Sequence, residues 1–379
     1  MRPPEQQSWL LLGPRGVGKT AWLRTTFPNA LFFDLLDGRT YQELLAAPDR
    51  LGARIPECFA DWVIVDEVQR VPELLNEVHR LIEGRRLKFV LTGSSARKLR
   101  GRGVNLLAGR ALTRHLHPLT AAELGNDFDL GRSLRWGGLP QAWTSPAPAD
   151  FLSAYVHTYL REQVLQEGLT RNLAAFARFL EAASFSPGGV LNMAAVAREC
   201  GISAKAAENW FTVLEDLLIG VRIPTFARRA KRRLVMHPKF YLFDAGVFQA
   251  VRPRGPLDVP ESIHGPALET LFLQHLRAVN DYLGLGYAVH YWRTPAGDEV
   301  DFVVYGPRGM CAFEVKLTSR VRSDDLKSLR VFRDEYPMAR AWLIHAGRER
   351  GHDSGVDVLP ATEALPRLAE LLLPSPEPG

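Results

Sequence analysis

The chain has 379 residues, 46% of them apolar, a net charge of +5 and a pI near 9.2; that is more apolar material than one ordinary core needs, so several domains are expected. No run of about 18 or more apolar residues occurs, and Met1-Arg2-Pro3-Pro4-Glu5 lacks the charged-then-apolar pattern of a secretory signal, so a membrane span and a leader are not expected and a cytoplasmic location is. Cys58, Cys200 and Cys311 are odd in number and far apart, which argues against a disulfide framework or a zinc site and reads as three core thiols.

In chain order, the apolar runs Ser8–Leu12, Trp62–Val65 and Phe89–Thr92 read as buried strands separated by helical patterns, the signature of a parallel sheet. Between them, Asp34–Asp61 fits a strand end, loops broken by Pro48 and Pro56, and an amphipathic helix, and Glu73–Glu83 fits a further helix. From about Gly137 the strand runs stop, and 151–219 reads as helices interrupted at Ser186-Pro187-Gly188-Gly189 and at Gly201. Strands return at 239–243, 287–292, 300–304, 311–316 and 341–345, with a helix at 266–281. Pro374–Gly379 has nothing apolar to bury and reads as a disordered tail.

Gly13-Pro14-Arg15-Gly16-Val17-Gly18-Lys19-Thr20 follows the first strand and opens a helix. In that setting backbone N–H groups and the helix N-terminus wrap phosphates, Lys19 reaches the outer phosphates, and Thr20 offers its hydroxyl to Mg2+. Asp66 and Glu67 end the next apolar run: Asp66 is placed to position the Mg2+, and Glu67 to orient the attacking water of ATP hydrolysis. The hydroxyls of Ser94 and Ser95, at the end of the neighbouring run, would sense the terminal phosphate; the competing reading is a plain polar turn. Arg97, Lys98, Arg100, Arg102 and Arg110 follow, with Arg110 the first choice for an arginine finger completing a neighbour's site and a solvated basic loop the alternative for the rest.

Asn192 is placed to cap a helix ending at Cys200, and Ser203 a second helix ending at Leu218, a helix-turn-helix pattern. Ala207, Trp210, Leu214 and Leu217 share the core face of the second helix, leaving Lys205, Glu208, Asn209 and Thr212 outside. Arg228, Arg229, Lys231, Arg232 and Arg233 then supply five charges in six residues, where the wing of a winged helix would lie. DNA phosphate contact through Lys205 and these residues is the sharper reading, a solvated face or a protein contact the blander one.

Asp298–Val304 and Cys311–Lys316, joined across Gly306-Pro307-Arg308-Gly309, read as a hairpin. Glu314 and Lys316 then share one face, with Phe313 and Val315 on the other. Asp301 and Glu314, with Glu269 from the preceding helix and Lys316 near the attacking water, form a candidate metal-assisted phosphodiesterase set. An edge strand with Glu and Lys on its solvent face would look the same. Their order, before a helix from Asp324, resembles the restriction-endonuclease-like core of PD-(D/E)XK proteins.

Taken with GPRGVGKT, VIVDEVQ, LTGSS, LAGR, HPKFYLFDAGV, GPALET, GDEVDF and FEVKLTS, the chain resembles, over roughly residues 8–345, prokaryotic AAA-plus ATPases whose C-terminal region is a domain of unknown function. It departs from them at Arg161-Glu162-Gln163, where relatives often carry an Arg-Asp pair. The resemblance implies an α/β fold: an AAA-plus P-loop core with a parallel sheet (1–136), a helical lid or connector (137–168), a winged-helix middle (169–235), a mixed α/β restriction-endonuclease-like domain (236–365) and a disordered tail (366–379). It also implies nucleic-acid work, with ATP and Mg2+ as cofactors and a homo-oligomer as the working form. The expected function is a DNA-dependent ATPase that remodels DNA, such as branched repair or recombination intermediates. An ATP-controlled switch acting on a protein partner and an ATP-gated metal-dependent nuclease are the alternatives.

Overall fold

The structure is a computed structural model that describes residues 1–95, 111–160, 173–186, 188–227, 237–255 and 258–373. Its contacts divide the chain into one compact unit of residues 1–117 with 216–219 and a second of 118–215 with 220–379.

In the first unit, β1 (Trp9–Leu12), β2 (Leu31–Asp34), β3 (Trp62–Asp66), β4 (Lys88–Gly93) and β5 (Leu112–His115) form a parallel sheet in the order β2-β3-β4-β1-β5. One face buries Leu10, Leu12, Val63, Val65, Phe89 and Leu91 against Leu74, Val78 and Leu81 of the helix Leu74–Arg85. On the other, Trp9 meets Trp22 edge-on at 6.0 Å and Phe27 meets Trp62 at 5.2 Å. Covering both faces is why these strands read as continuous apolar runs rather than alternating ones. β5 was not legible as a strand because its residues, Leu-Thr-Arg-His, are only half covered at the sheet edge. Cys58 lies in an exposed loop, which corrects its reading as a core thiol; Cys200 and Cys311 are buried.

In the second unit, the expected helix pair is present as Met193–Cys200 and Ala204–Asp216. Asn192 accepts the Ala195 N–H (3.0 Å) and Ser203 accepts that of Ala206 (3.1 Å), two N-caps where short polar side chains satisfy free helix donors. Trp210 and Phe211 pack on Phe179 of the helix Leu173–Ala183 at 5.2 and 4.8 Å. A two-stranded antiparallel ribbon follows, β6 (Gly220–Ile223) with β7 (Lys239–Leu242).

The C-terminal sheet comprises β8 (Ala288–Arg293), β9 (Glu299–Gly306), β10 (Gly309–Lys316), β11 (Arg340–His345), β12 (Gly351–Asp353) and β13 (Val356–Pro360), in the order β12-β13-β11-β10-β9-β8. β9 and β10 form the expected hairpin, β8 extends it antiparallel, and β10, β11 and β13 run parallel. The long helix Pro260–Leu283 covers one face, setting Phe272 on Phe302 and Phe313 at 5.6 and 5.1 Å. The helix Lys327–Glu335 covers the other through Leu329 and Phe332. The expected disordered tail from residue 366 is corrected in its first part: Leu368–Leu372 is a helix that buries Leu368 and Leu372 in the core, and 374–379 lies outside the described residues. Among the described residues no helix is long and apolar enough to cross a membrane.

Candidate functional site

The loop between β1 and the helix Lys19–Thr26 depends on glycines where only glycine fits. Gly16 and Gly18 take φ of 85° and 90°, and a Cβ on Gly13 would stand 2.5 Å from the Leu116 carbonyl oxygen. Lys19 is buried, and its ammonium donates to the carbonyls of Gly13 (2.7 Å) and Pro14 (3.1 Å). Burial lowers its pKa, against the pull of Glu67 and Asp66.

The β1 and β4 ends are in register, Leu12 beside Gly93, and β4 stands between the loop strand and the carboxylate strand β3. The sheet therefore brings the C-terminal ends of three strands to one place, where open α/β sheets bind ligands. Thr20 Oγ1 donates to Asp66 Oδ2 at 2.6 Å, and Thr92 Oγ1 donates to Asp66 Oδ1. Burial raises the Asp66 pKa while these two hydrogen bonds oppose it. Glu67 sits at φ 58°, ψ 44°, a strained conformation for a non-glycine residue, with its N–H held by Thr92 Oγ1 at 3.0 Å. Its carboxylate accepts from Gln69 Nε2 and from Ser94 Oγ (3.0 Å), and Gln69 also donates to Ser94 Oγ at 3.0 Å.

Lys19, Thr20, Asp66, Glu67 and Ser94 thus form one connected constellation, with Gly13–Gly18 as its backbone cradle. Ser95 is buried beside it. Thr92 and Gln69 belong to it but were not singled out by sequence, since each looks like an ordinary strand or turn residue until β3 and β4 are paired. Arg110, like Arg97, Lys98, Arg100 and Arg102, lies outside the described residues.

In the helical middle, Lys205, Glu208, Asn209 and Thr212 are exposed as expected. Arg222 of β6, which sequence reading passed over, reaches back to Glu215 (2.8 Å), Thr212 (3.1 Å) and Glu208. Lys205 is consequently the single cation among the four outward residues, and two of the other three are tied up by Arg222. Arg228, Arg229, Lys231, Arg232 and Arg233 lie outside the described residues, as does Arg161-Glu162-Gln163. Both flanks of the 228–236 segment are held by Tyr291 of β8: its carbonyl accepts the Phe226 N–H (2.6 Å), and its hydroxyl donates to the His237 carbonyl (2.7 Å).

The expected carboxylates also converge. Glu314 pairs with Lys316 at 2.7 Å on the shared face of β10, and Asp301 accepts the Val315 N–H at 3.0 Å where the ladder between β9 and β10 ends at Phe302–Phe313. Glu269 accepts from the Tyr241 hydroxyl at 2.9 Å. Burial, then the charge of Asp301, pushes both Glu269 and Glu314 well above the usual carboxylate range. Two members were missed: Lys239, fully buried at the start of β7, and Glu299, its partner at 2.6 Å. Burial pulls the Lys239 ammonium down, but Asp301, Glu269 and Glu299 together hold it above the ordinary lysine value.

Asp244, within the quoted HPKFYLFDAGV run, has a structural task. It accepts the Val247 N–H (2.9 Å) as N-cap of the helix Ala245–Val251 and the Gly138 N–H at 2.7 Å, and a Cβ on Gly137 would stand 2.1 Å from it.

Three family models match the chain: an AAA domain over residues 5–125, a domain of unknown function (DUF8612) over 127–258, and a domain of unknown function (DUF4143) over 264–364. No curated protein matches it. Among solved structures, protein VC1899 from Vibrio cholerae aligns over 96% of this chain and 97% of its own at 13% identity, with a TM-score of 0.23, too low to carry an argument.

Proposed function

We propose that this chain is a DNA-dependent ATPase, hydrolysing ATP with Mg2+ in its N-terminal AAA-type unit and remodelling DNA through the rest of the chain. The observation that carries the ATPase reading is the hydrogen-bonded set Thr20–Asp66–Thr92–Glu67–Ser94 beside the Gly13–Gly18 cradle. An AAA domain match over the same residues agrees with it.

Phosphoryl transfer needs placement and charge stabilisation more than covalent chemistry. Backbone N–H groups of the loop and the N-terminus of helix Lys19–Thr26 receive the phosphates, for which Lys19 exchanges its carbonyl partners. The Thr20 hydroxyl and the Asp66 carboxylate, 2.6 Å apart at the mouth of the loop, suit Mg2+, which when bound neutralises phosphate charge; Thr20 would hold it directly and Asp66 through water. Glu67 orients the attacking water, Ser94 faces the terminal phosphate, and Arg110 completes a neighbour's site in a homo-oligomer.

Thr92 supports two groups at once. Thr92→Val is expected to leave Asp66 Oδ1 and the Glu67 N–H unpaired in a buried place and to cost about 1–3 kcal/mol for each. Because both orphans flank the reacting phosphate, turnover should fall about tenfold or more. Steady-state hydrolysis beside a thermal melt checks this; wild-type turnover in Thr92→Val would remove Thr92 from the site.

The DNA part of the proposal rests on the basic residues Arg228, Arg229, Lys231, Arg232 and Arg233 behind a capped helix pair, with Lys205 as an additional phosphate contact. ATP turnover should rise on adding duplex or branched DNA, and the rise should weaken steeply with salt as neutralised phosphates regain counterions. The sparse charge of the outward helix face favours a second reading, an ATP-controlled switch acting on a protein partner. Turnover indifferent to single-stranded, duplex and four-way DNA at both low and high salt would put that reading first. A cytoplasmic location is part of the proposal.

A further inference from the structure

The carboxylates that order in the sequence grouped as a metal site do not fit one. A divalent cation needs several oxygens turned towards one point and not already neutralised by a fixed cation. Asp301 spends one oxygen on the Lys239 ammonium (3.1 Å) and the other on the Val315 N–H (3.0 Å). Glu299 is taken by Lys239, Glu269 accepts from Tyr241, and Glu314 pairs with Lys316. Gly188 lies so close to Glu269 that a Cβ there would stand 2.9 Å from both carboxylate oxygens. Glu314 Oε2 alone of this set is buried without a hydrogen-bond partner. Among the described residues no three His, Cys, Asp or Glu side chains are grouped so as to hold a metal.

We infer that Lys239 is a built-in cation at the centre of this acidic cluster, and that the cluster is an ion-paired joint fixing the β6–β7 ribbon to the C-terminal sheet rather than a metal-dependent nuclease centre. The position of Lys239 gives the joint its purpose. It is the first residue of β7, separated from the 228–236 segment by His237 and Pro238; it pairs with Ile223 of β6, and its ammonium crosses to Glu299 and Asp301 of β9. Tyr291 of β8 carries both flanks of the same segment and lies under the Lys239 ammonium, 5.5 Å from ring centre to nitrogen. The ends of the β6–β7 ribbon are therefore anchored on β8 and β9 by Lys239 and Tyr291, together with Phe226, whose ring meets His290 and Tyr305 at 5.5 and 5.8 Å. A lysine suits this task because its single charge is held on a covalent stem, whereas a bound metal would leave whenever its concentration fell.

The test uses the full-length protein, stripped of nucleotide and treated with chelator, so that neither the ATPase nor the DNA reading bears on the result. Mn2+ is titrated in while free Mn2+ is followed by electron paramagnetic resonance, and melting is recorded with EDTA and with excess Mn2+. The expected result is no stoichiometric Mn2+ binding and a melting midpoint that neither addition moves, since a bound metal would raise it by linkage. Lys239→Met is expected to lower the midpoint by about 5–15 °C, the effect of stranding buried carboxylates. Adding Asp301→Asn to it should recover part of that loss. Complete failure of Lys239→Met to fold is the extreme of the same expectation, and the wild-type titration then decides. One Mn2+ bound per nucleotide-free chain and lost in Glu314→Gln, metal-dependent DNA cutting lost in the same variant, or a Lys239→Met protein that melts like wild type would each overturn the inference.

Discussion

Glu67→Gln is expected to reduce ATP turnover by about 10²–10⁴-fold, the usual worth of a positioned general base, while leaving nucleotide affinity close to wild type. The substitution keeps the size of the side chain and its hydrogen-bonding reach. It also leaves the Glu67 N–H to Thr92 and the backbone at φ 58° untouched. What it removes is the charge proposed to polarise water; one carboxylate oxygen becomes an amide donor, and the amide oxygen can still accept from Gln69 Nε2 and Ser94 Oγ. Lys19→Ala separates the two functions from the other side: the loop loses its ammonium, so binding and turnover should fall together. Turnover at saturating ATP, paired with equilibrium binding of a fluorescent nucleotide, distinguishes them. A Glu67→Gln enzyme that still hydrolyses ATP within a few-fold of wild type would transfer the base role elsewhere and leave Glu67 as a structural turn.

A large effect on stability is expected at Asp244. In Asp244→Ala the buried N–H groups of Gly138 and Val247 both lose their acceptor, costing about 2–4 kcal/mol in the second unit. The effect should depend on pH in a definite direction. Burial, opposed by the N–H groups of Gly138, Val247 and Gly246, raises the Asp244 pKa to about 6. The folded state therefore holds this proton more tightly than the unfolded chain does. Its stabilising term is complete below the unfolded value, near pH 4, and is lost as pH rises through about 6. A shift of that size amounts to about 3 kcal/mol between the two limits. The wild-type advantage over Asp244→Ala, measured by urea unfolding, should accordingly be greater at pH 5 than at pH 8, with other titrating groups cancelling in the difference. An advantage that grows with pH would mean that Asp244 is held as a stabilised carboxylate.

Some of this protein is legible in single stretches of chain. The phosphate loop is, because Gly16 and Gly18 must reach positive φ, and because the loop, its lysine and its helix are contiguous. The caps at Asn192 and Ser203 are, because they satisfy N–H groups three residues away. The β9–β10 hairpin and the pairing of Glu314 with Lys316 follow from the two-residue period of a strand. Other features are invisible at that range. Thr92 becomes part of the phosphate site only because β4 lies between β1 and β3, and Gln69 only because its turn faces Ser94. Arg222 reads as a solvated strand residue until it folds back on Glu208 and Glu215. Lys239, at the head of an apolar strand, looks like a surface lysine, yet it is fully buried among carboxylates brought from residues 269, 299 and 301. Asp244 looks like an ordinary N-cap, and its hold on Gly138 appears only in three dimensions. By itself the sequence determined the nucleotide loop, the carboxylates at the end of β3, the helix pair and the acidic hairpin, since each is set by backbone sterics, capping or strand period over a few residues. Tertiary structure alone decided which charges meet and which side chain fills the space between them, because desolvation and ion pairing depend on neighbours far apart in the chain.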